Sequence, residues 1–271
     1  MLKSIKPNQI NQIIDIILEC AKEAVDDFNA RRFVIYDKND NTKVTSTDIK
    51  ISALINKYFS KLFPQIPIIC EEGQLKNTAA TTFFLIDPID GTSSFIKHDV
   101  EFCINVALIE NLQPVFGLIY APLFEGGKFF YNDSEGNVLS LLKPHNQPKI
   151  INNTSKINDS LKIITSARSK NDDLKKLLEQ VYPQYQDNFI VEKLSSAIKF
   201  LKIIENQHNL YVHFNKSMEW DIAAGHALVK LVGNNIFKLE SSHDKFIIGK
   251  EIGYKKAGFV NSGFIVPFLG S

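Results

Sequence analysis

Between Ile10 and Phe28 the apolar positions fall at Ile10, Ile13, Ile14, Ile17, Ala21, Ala24, Val25 and Phe28. That three-to-four spacing predicts an amphipathic helix starting at Pro7 and ending near Asn29. The next stretch, RRFVIYDKNDNTKVT, reads as strand, polar loop and strand. A second helix is expected behind TSTD, with Ile51, Leu54, Ile55, Tyr58, Phe59 and Leu62 along one face, and Pro64 stops it. IPIIC and TTFFLID then read as short buried strands. In VEFCINVALIE the period drops to two, with Val100, Phe102, Ile104, Val106 and Leu108 alternating. PVFGLIYAP, GKFFYN and NVLSLL continue as strands parted by turn residues, a mostly antiparallel run.

The pattern changes across residues 143–159, a polar stretch with two prolines and many asparagines. It reads as a seam between an N-terminal α+β half, 1–145, and a C-terminal α/β half, 146–271. Beyond it LKIITSA and DNFIVEKL read as strands, NDDLKKLLEQVY and SSAIKFLKIIE as helices, NLYVHF as a strand, and DIAAGHALVKLVG as a helix closed by Gly233. Alternating strands and helices predict layers.

Composition narrows the classes of function. With 31 Lys+Arg against 30 Asp+Glu the chain lacks the basic excess of a nucleic-acid binder, so an anionic partner has to be met locally. The three cysteines, Cys20, Cys70 and Cys103, show no zinc or redox spacing, and a reducing, cytoplasmic setting is expected. No stretch approaches the ~20 apolar residues of a membrane span, and the N-terminus lacks the apolar run of a signal peptide. Peripheral contact with the inner face of the cell membrane is left open, as is the choice between monomer and homodimer.

Chemistry enters with four acidic clusters: Asp48 after VTST, Glu71 and Glu72 in CEEG, Asp87 and Asp90 in LIDPIDGTSSF, and Asp221 in EWDIAAGHA. Singly, each has a structural explanation. Asp48 with Thr45 makes a capping-box variant, Asp221 meets a helix dipole, the glutamates are solvated, and DPIDG is a turn. Together they offer the oxygen ligands that a hard divalent cation such as Mg²⁺ takes at about 2.0–2.1 Å. Pro88 stiffens the bend between Asp87 and Asp90, letting both carboxylates and the carbonyl of Ile89 converge. Gly91 and the helix start behind it offer free amides to an anion. Metals beside a phosphate cradle suggest phosphoryl chemistry, with two ions about 3.5–4 Å apart serving an in-line displacement. The alternating DKNDNTK loop is similar to an EF-hand, but Thr42 replaces the required glycine and Asp48 the glutamate, so it reads as a hairpin loop.

The pair Glu71 and Glu72, then DPIDGT, then WDIAAG resemble, in that order, the signature of the inositol monophosphatase superfamily, and the resemblance runs from VTSTD to NSGFIV. It implies a five-layer αβαβα sandwich of the inositol monophosphatase and fructose-1,6-bisphosphatase type. It also implies a Mg²⁺-dependent, lithium-sensitive phosphoric monoester hydrolase. Within the superfamily, EFCINVALIE, PVFGLIYAP, SSAIKF, LYVHF and EWDIAAGHALV are most similar to the CysQ-type 3′(2′),5′-bisphosphate nucleotidases of sulfur metabolism. That likeness implies removal of the 3′-phosphate of adenosine 3′,5′-bisphosphate (PAP to AMP), with PAPS to APS as a second reaction. Such enzymes often read DGTKEF, whereas this chain has Ser93 and Ser94, closer to the DGTTNF of inositol phosphatases. An inositol or sugar phosphate is therefore the alternative substrate. A non-catalytic binding protein on the same fold is the reading from another class, and the filled ligand positions count against it.

Carried over position by position, the resemblance implies two or three Mg²⁺ ions per site. Glu71, Asp87 and the Ile89 carbonyl would hold one ion, and Asp87, Asp90 and Asp221 the second. Asp48 with the Thr92 hydroxyl would orient the attacking water, with Glu71 in reach as base. Gly91, Thr92 and Ser93 would cradle the scissile phosphate, and a water near Asp221 would protonate the leaving oxygen. Ser166, Arg168, Ser196 and Lys199 resemble the nucleotide-contacting stretch, where a cation suits a second phosphate. The plainer reading leaves Arg168 and Lys199 solvated. Trp220 reads as a packing anchor, and His226 either as a core histidine or as a ligand contact.

Overall fold

The computed structural model of the chain describes residues 4–73, 79–141, 148–151, 160–242 and 245–267. The first helix forms as α1 (Pro7–Ala30), with proline in the opening turn, where no amide is needed, and Arg31 in the left-handed region closing it. β1 (Ile35–Asp37) and β2 (Lys43–Thr45) make an antiparallel hairpin. α2 (Ser46–Leu62) opens inside TSTD rather than behind it, because Thr45 is its cap: the Asp48 amide donates to Thr45 Oγ1, and the Thr45 amide to the Asp48 carboxylate at 3.0 Å.

β3 (Ile68–Cys70), β4 (Phe83–Asp90), β5 (Cys103–Glu110), β6 (Gln113–Ala121), β7 (Lys128–Asn132), β8 (Val138–Leu141) and β9 (Lys149–Ile150) form a seven-stranded sheet in chain order. β3 runs parallel to β4, and the other neighbours are antiparallel. The short α3 (Thr92–Ile96) follows β4. The seam expected between residues 145 and 146 lies outside the described residues, and β9 beyond it still pairs with β8.

The second half supplies β10 (Leu161–Ser166), α4 (Asn171–Val181), β11 (Phe189–Leu194), α5 (Ile198–Ile204), β12 (Leu210–His213), β13 (Ser217–Met218) and α6 (Glu219–Leu231). β14 (Phe237–Ser242), β15 (Lys245–Glu251), β16 (Val260–Asn261) and β17 (Gly263–Val266) follow. A six-stranded sheet runs β11-β10-β12-β17-β14-β15, parallel across its first three strands and antiparallel afterwards. β13 and β16 form a two-stranded ribbon.

Three cores hold five layers together, αβαβα as expected, the central one filling both sides of the middle helices. Ile13, Ile17, Ile51 and Phe59 of α1 and α2 cover one face of the first sheet. Phe200, Ala224 and Leu228 of α5 and α6 fill the space between Leu85 and Ile119 of that sheet and Tyr211 and Phe264 of the second. Leu174 and Leu178 of α4 cover Ile163 and Val212 on the far side. β5 is buried along its whole length, not at alternate positions, because Ile104, Val106 and Leu108 face the α1/α2 layer while Ala107 and Ile109 face α6. α6 sits at the centre. A Cβ on Gly117 of β6 would lie 2.2 Å from the Ala224 oxygen, and one on Gly225 would lie 2.2 Å from Phe200 Cδ2. The bare backbone at these two positions is what lets α6 lie flat between the first sheet and α5.

Candidate active site

β4 loses register with β5 at its end: Asp87 lies opposite Asn105 and Asp90 opposite Cys103, so three steps on β4 match two on β5. In a regular strand, residues three apart point to opposite faces. The bulge returns both aspartates to one face, the one turned toward α6, and it is also where Pro88 is tolerated, having no amide to pair. The Ile89 amide donates to Asp87 Oδ1 at 3.1 Å. α6 brings Asp221 in its first turn, where Oδ2 accepts the Met218 amide at 2.7 Å. Glu71 follows β3, and its backbone N–H donates to the Ile86 carbonyl at 3.0 Å. Ligand oxygens of Glu71, Asp87 and Asp221 all lie within 4.8 Å of one another. Asp90 is their neighbour, but its Oδ2 is engaged, accepting the Asn105 side-chain amide at 3.0 Å and the Ala197 amide at 2.6 Å.

Burial, then the charges of Glu71, Asp90 and Asp221, push the Asp87 carboxyl well above the usual range. Burial and the charges of Asp90 and Glu71 do the same to Asp221. Burial raises Asp90 as well, against the pull of the Lys199 ammonium. Crowded carboxylates that raise one another favour either a shared proton or a multivalent cation. An all-oxygen donor set of this charge fits Mg²⁺.

Asp48 is buried at the start of α2, and burial raises its carboxyl despite hydrogen bonds from Thr45 and Thr92. The Thr92 hydroxyl lies 3.0 Å from Asp48 Oδ1 and 3.1 Å from the Ile89 carbonyl. Its single proton goes to one acceptor at a time, and its lone pairs remain to receive a water proton. Gly91 turns the chain into α3 with φ of +95°, and a Cβ there would meet the Glu101 carbonyl at 2.7 Å.

The nucleotide-contacting candidates divide. Ser93 and Arg168 are exposed, with Arg168 Nη2 donating to Ser93 Oγ at 3.3 Å, and Ser166 Oγ accepts the Arg168 amide at 3.3 Å. These three form one rim. Lys199 corrects the solvated alternative. It is 4% exposed, donates to the Ser196 carbonyl and stands 5.7 Å from the Tyr211 ring centre. Burial lowers its pKa while Asp90 opposes that shift. Ser196 itself has φ of +52°. Trp220 is buried beside Phe259, as an anchor would be. His226 is a core histidine: Nδ1 pairs with the Tyr254 hydroxyl at 2.9 Å and Nε2 with Asn235 Oδ1 at 2.7 Å. In the DKNDNTK hairpin, Asp37 pairs with Lys43 and Asp40 accepts from Thr42, so both acids are used internally.

The model of the inositol monophosphatase family matches residues 8–260. The chain belongs to the inositol monophosphatase family. The 3′(2′),5′-bisphosphate nucleotidase CysQ of Buchnera aphidicola is 31% identical to it over 246 residues, covering 89% of this chain and 87% of that protein. The solved structure of CysQ from Bacteroides thetaiotaomicron matches with a TM-score of 0.76 at 20% identity over 98% of both chains. An IMPase/NADP phosphatase solved with Mg²⁺ and phosphate matches with a TM-score of 0.72 at 18% identity, over 97% of this chain and 91% of its own.

In this inositol monophosphatase family phosphatase, three polar residues near the carboxylates escaped sequence reasoning. Lys38, in the β1–β2 loop, donates to Glu71 Oε1 at 2.8 Å and also to Glu72. Burial works against its charge, but the two glutamates outweigh it and hold its pKa above the usual value. Glu72, chiefly through burial, is raised to about 7. Glu101 accepts the Ser195 amide at 2.7 Å. Asn105 is fully buried in β5, and a polar residue inside the apolar run of VEFCINVALIE was a legible signal for it. Lys38 carried no such signal, since a lysine in a polar loop looks solvated.

Proposed function

We propose that this chain is a Mg²⁺-dependent phosphatase that removes the 3′-phosphate of adenosine 3′,5′-bisphosphate, with PAPS as a second substrate. The observation that carries the reading is the meeting of Glu71, Asp87 and Asp221, from three distant segments, with ligand oxygens within 4.8 Å. Glu71, Asp87 and the Ile89 carbonyl would hold one Mg²⁺, and Asp87, Asp90 and Asp221 the other. When bound, the ions supply charge neutralisation at the phosphate oxygens and a more acidic water. Asp48 and Thr92, 3.0 Å apart, orient the attacking water, and Glu71 is in reach to take its proton. Gly91, Thr92 and Ser93 hold the phosphate, and Asp221 orients the water that protonates the leaving oxygen.

The choice of a nucleotide over an inositol phosphate is supported by the CysQ relatives and by the exposed Arg168 guanidinium beside Ser93, which suits a second phosphate. Lys199 works from inside, holding the Ser196 carbonyl and offsetting Asp90. A reducing cytoplasm suits three buried, free cysteines, and among the described residues no helix is long and apolar enough to cross a membrane. Phosphate release measured with Mg²⁺ should be faster from adenosine 3′,5′-bisphosphate than from inositol 1-phosphate. The reverse order overturns the substrate, and binding of the nucleotide without release from either compound overturns the enzyme.

A further inference from the structure

We propose that Asn105 is a positioning residue: it fixes which oxygen of Asp90 is offered to a cation and thereby couples the cation site to the 195–199 segment. The inference rests on the metal-dependent reading above. Asp90 Oδ2 accepts two N–H donors, from the Asn105 side chain at 3.0 Å and from the Ala197 backbone at 2.6 Å. That leaves Oδ1 as the oxygen a cation draws on. Asn105 has no freedom to turn. It is fully buried, its own Oδ1 receives the Cys103 thiol at 3.4 Å, and only its NH₂ end can face a carboxylate.

The same oxygen, Oδ2, also ties Asp90 to the 195–199 segment. The Ala197 amide sits on Asp90, the Ser195 amide on Glu101 Oε2 at 2.7 Å, and the Lys199 ammonium on the Ser196 carbonyl. Between them Ser196 adopts φ of +52°, a region that costs a non-glycine residue free energy and persists where neighbours enforce it. A rotation of Asp90 that exposes Oδ2 releases Ala197, and a shift of the segment rotates Asp90. Cation affinity and the order of the segment are therefore linked in both directions. A neutral donor is needed at position 105, because a carboxylate there would repel Asp90.

The test compares the full-length wild type with Asn105→Ala and Glu101→Gln by calorimetric Mg²⁺ titration and by amide hydrogen exchange of the 194–199 segment. Asn105→Ala is expected to weaken the looser Mg²⁺ step by about tenfold, as loss of a supporting ligand partner does, and to speed exchange at Ala197. Its KM for the nucleotide should rise less than its Mg²⁺ requirement. Glu101→Gln should speed exchange at Ser195 and, by the same linkage, weaken Mg²⁺ binding less than Asn105→Ala does, because Asn105 still holds Asp90. A folded Asn105→Ala with the wild-type isotherm overturns the inference alone. Should the alanine variant fail to fold, Asn105→Asp keeps the volume and removes the donor, and wild-type protection of Ala197 in it has the same consequence. A wild type that takes up no Mg²⁺ overturns the metal reading and this inference together.

Discussion

Asp221→Asn should change sign in its effect on stability according to whether Mg²⁺ is present. In the metal-free protein Asp221, Asp87 and Glu71 place carboxylate oxygens within 4.8 Å. Two full charges at that distance repel by about 3.5 kcal/mol at an effective dielectric constant of ~20. Protons shared among the raised carboxyls already relieve part of this. The amide keeps an acceptor for the Met218 N–H but gives up an anion at a helix start, worth about 0.3–1 kcal/mol. A net gain of about 1–2 kcal/mol remains, a rise of a few degrees in Tm for a chain of this size. With Mg²⁺ at ~100 times its Kd the wild type gains about 2.7 kcal/mol. The variant, short of a ligand, gains less, and the order of melting reverses. Calorimetric melts in EDTA and in Mg²⁺, alongside phosphate release, read both halves. An Asp221→Asn protein that melts below wild type in EDTA and keeps the full Mg²⁺ shift refutes the reasoning. The same crowding sets a pH trend. Asp87 and Asp221 hold protons more tightly folded than unfolded, so metal-free stability falls as pH rises above the ordinary carboxylate range.

Thr92→Val removes the hydroxyl 3.0 Å from Asp48 and should lower kcat by on the order of 10²-fold with little change in Tm; steady-state kinetics at saturating Mg²⁺ decide it. Gly225→Ala drives a methyl to within 2.2 Å of Phe200 Cδ2, so the unfolding free energy read from a lowered urea midpoint at unchanged slope should fall by about 1–3 kcal/mol or more, and a neutral result would show that α5 moves freely. Burial holds His226 down from 6.5 to about 4, so the unfolded chain takes the proton first. Its stabilising contribution is complete above the unfolded value and is lost as pH falls toward the folded one, by about 3 kcal/mol at ~1.4 kcal/mol per pH unit. In His226→Gln the fall in Tm through this range should be shallower, and an identical slope would place the titration elsewhere.

The order of elements in the first half was readable because periodicity is a local property. The spacing of Ile10, Ile13 and Ile17 selects a helix whatever it packs on, and Thr45 with Asp48 caps α2 within four residues. The closing strands β14, β15 and β17 raised no expectation, although they make half of the second sheet. β14 and β15 are partly solvent-facing while β17 is buried throughout, and their partners lie on both earlier and later segments, so no single local pattern marks them.

The acids of the site were identifiable by type and by motif, yet their meeting was not contained in any stretch of chain. Asp87 and Asp90 share a face only because β4 slips one residue against β5, a fact about two strands. Lys199, which the sequence left either solvated or contacting a nucleotide, is buried, Lys38 lies in a polar loop yet sits on Glu71, and Asn105, inside an apolar strand, grips Asp90. The amino-acid order by itself determined which segments coil, which extend and which residues bring charge, since these depend on neighbours a few positions away. Only the tertiary structure decided which charges face one another, because that depends on packing between elements far apart in the chain, where a shift of one strand position turns a side chain to the opposite face.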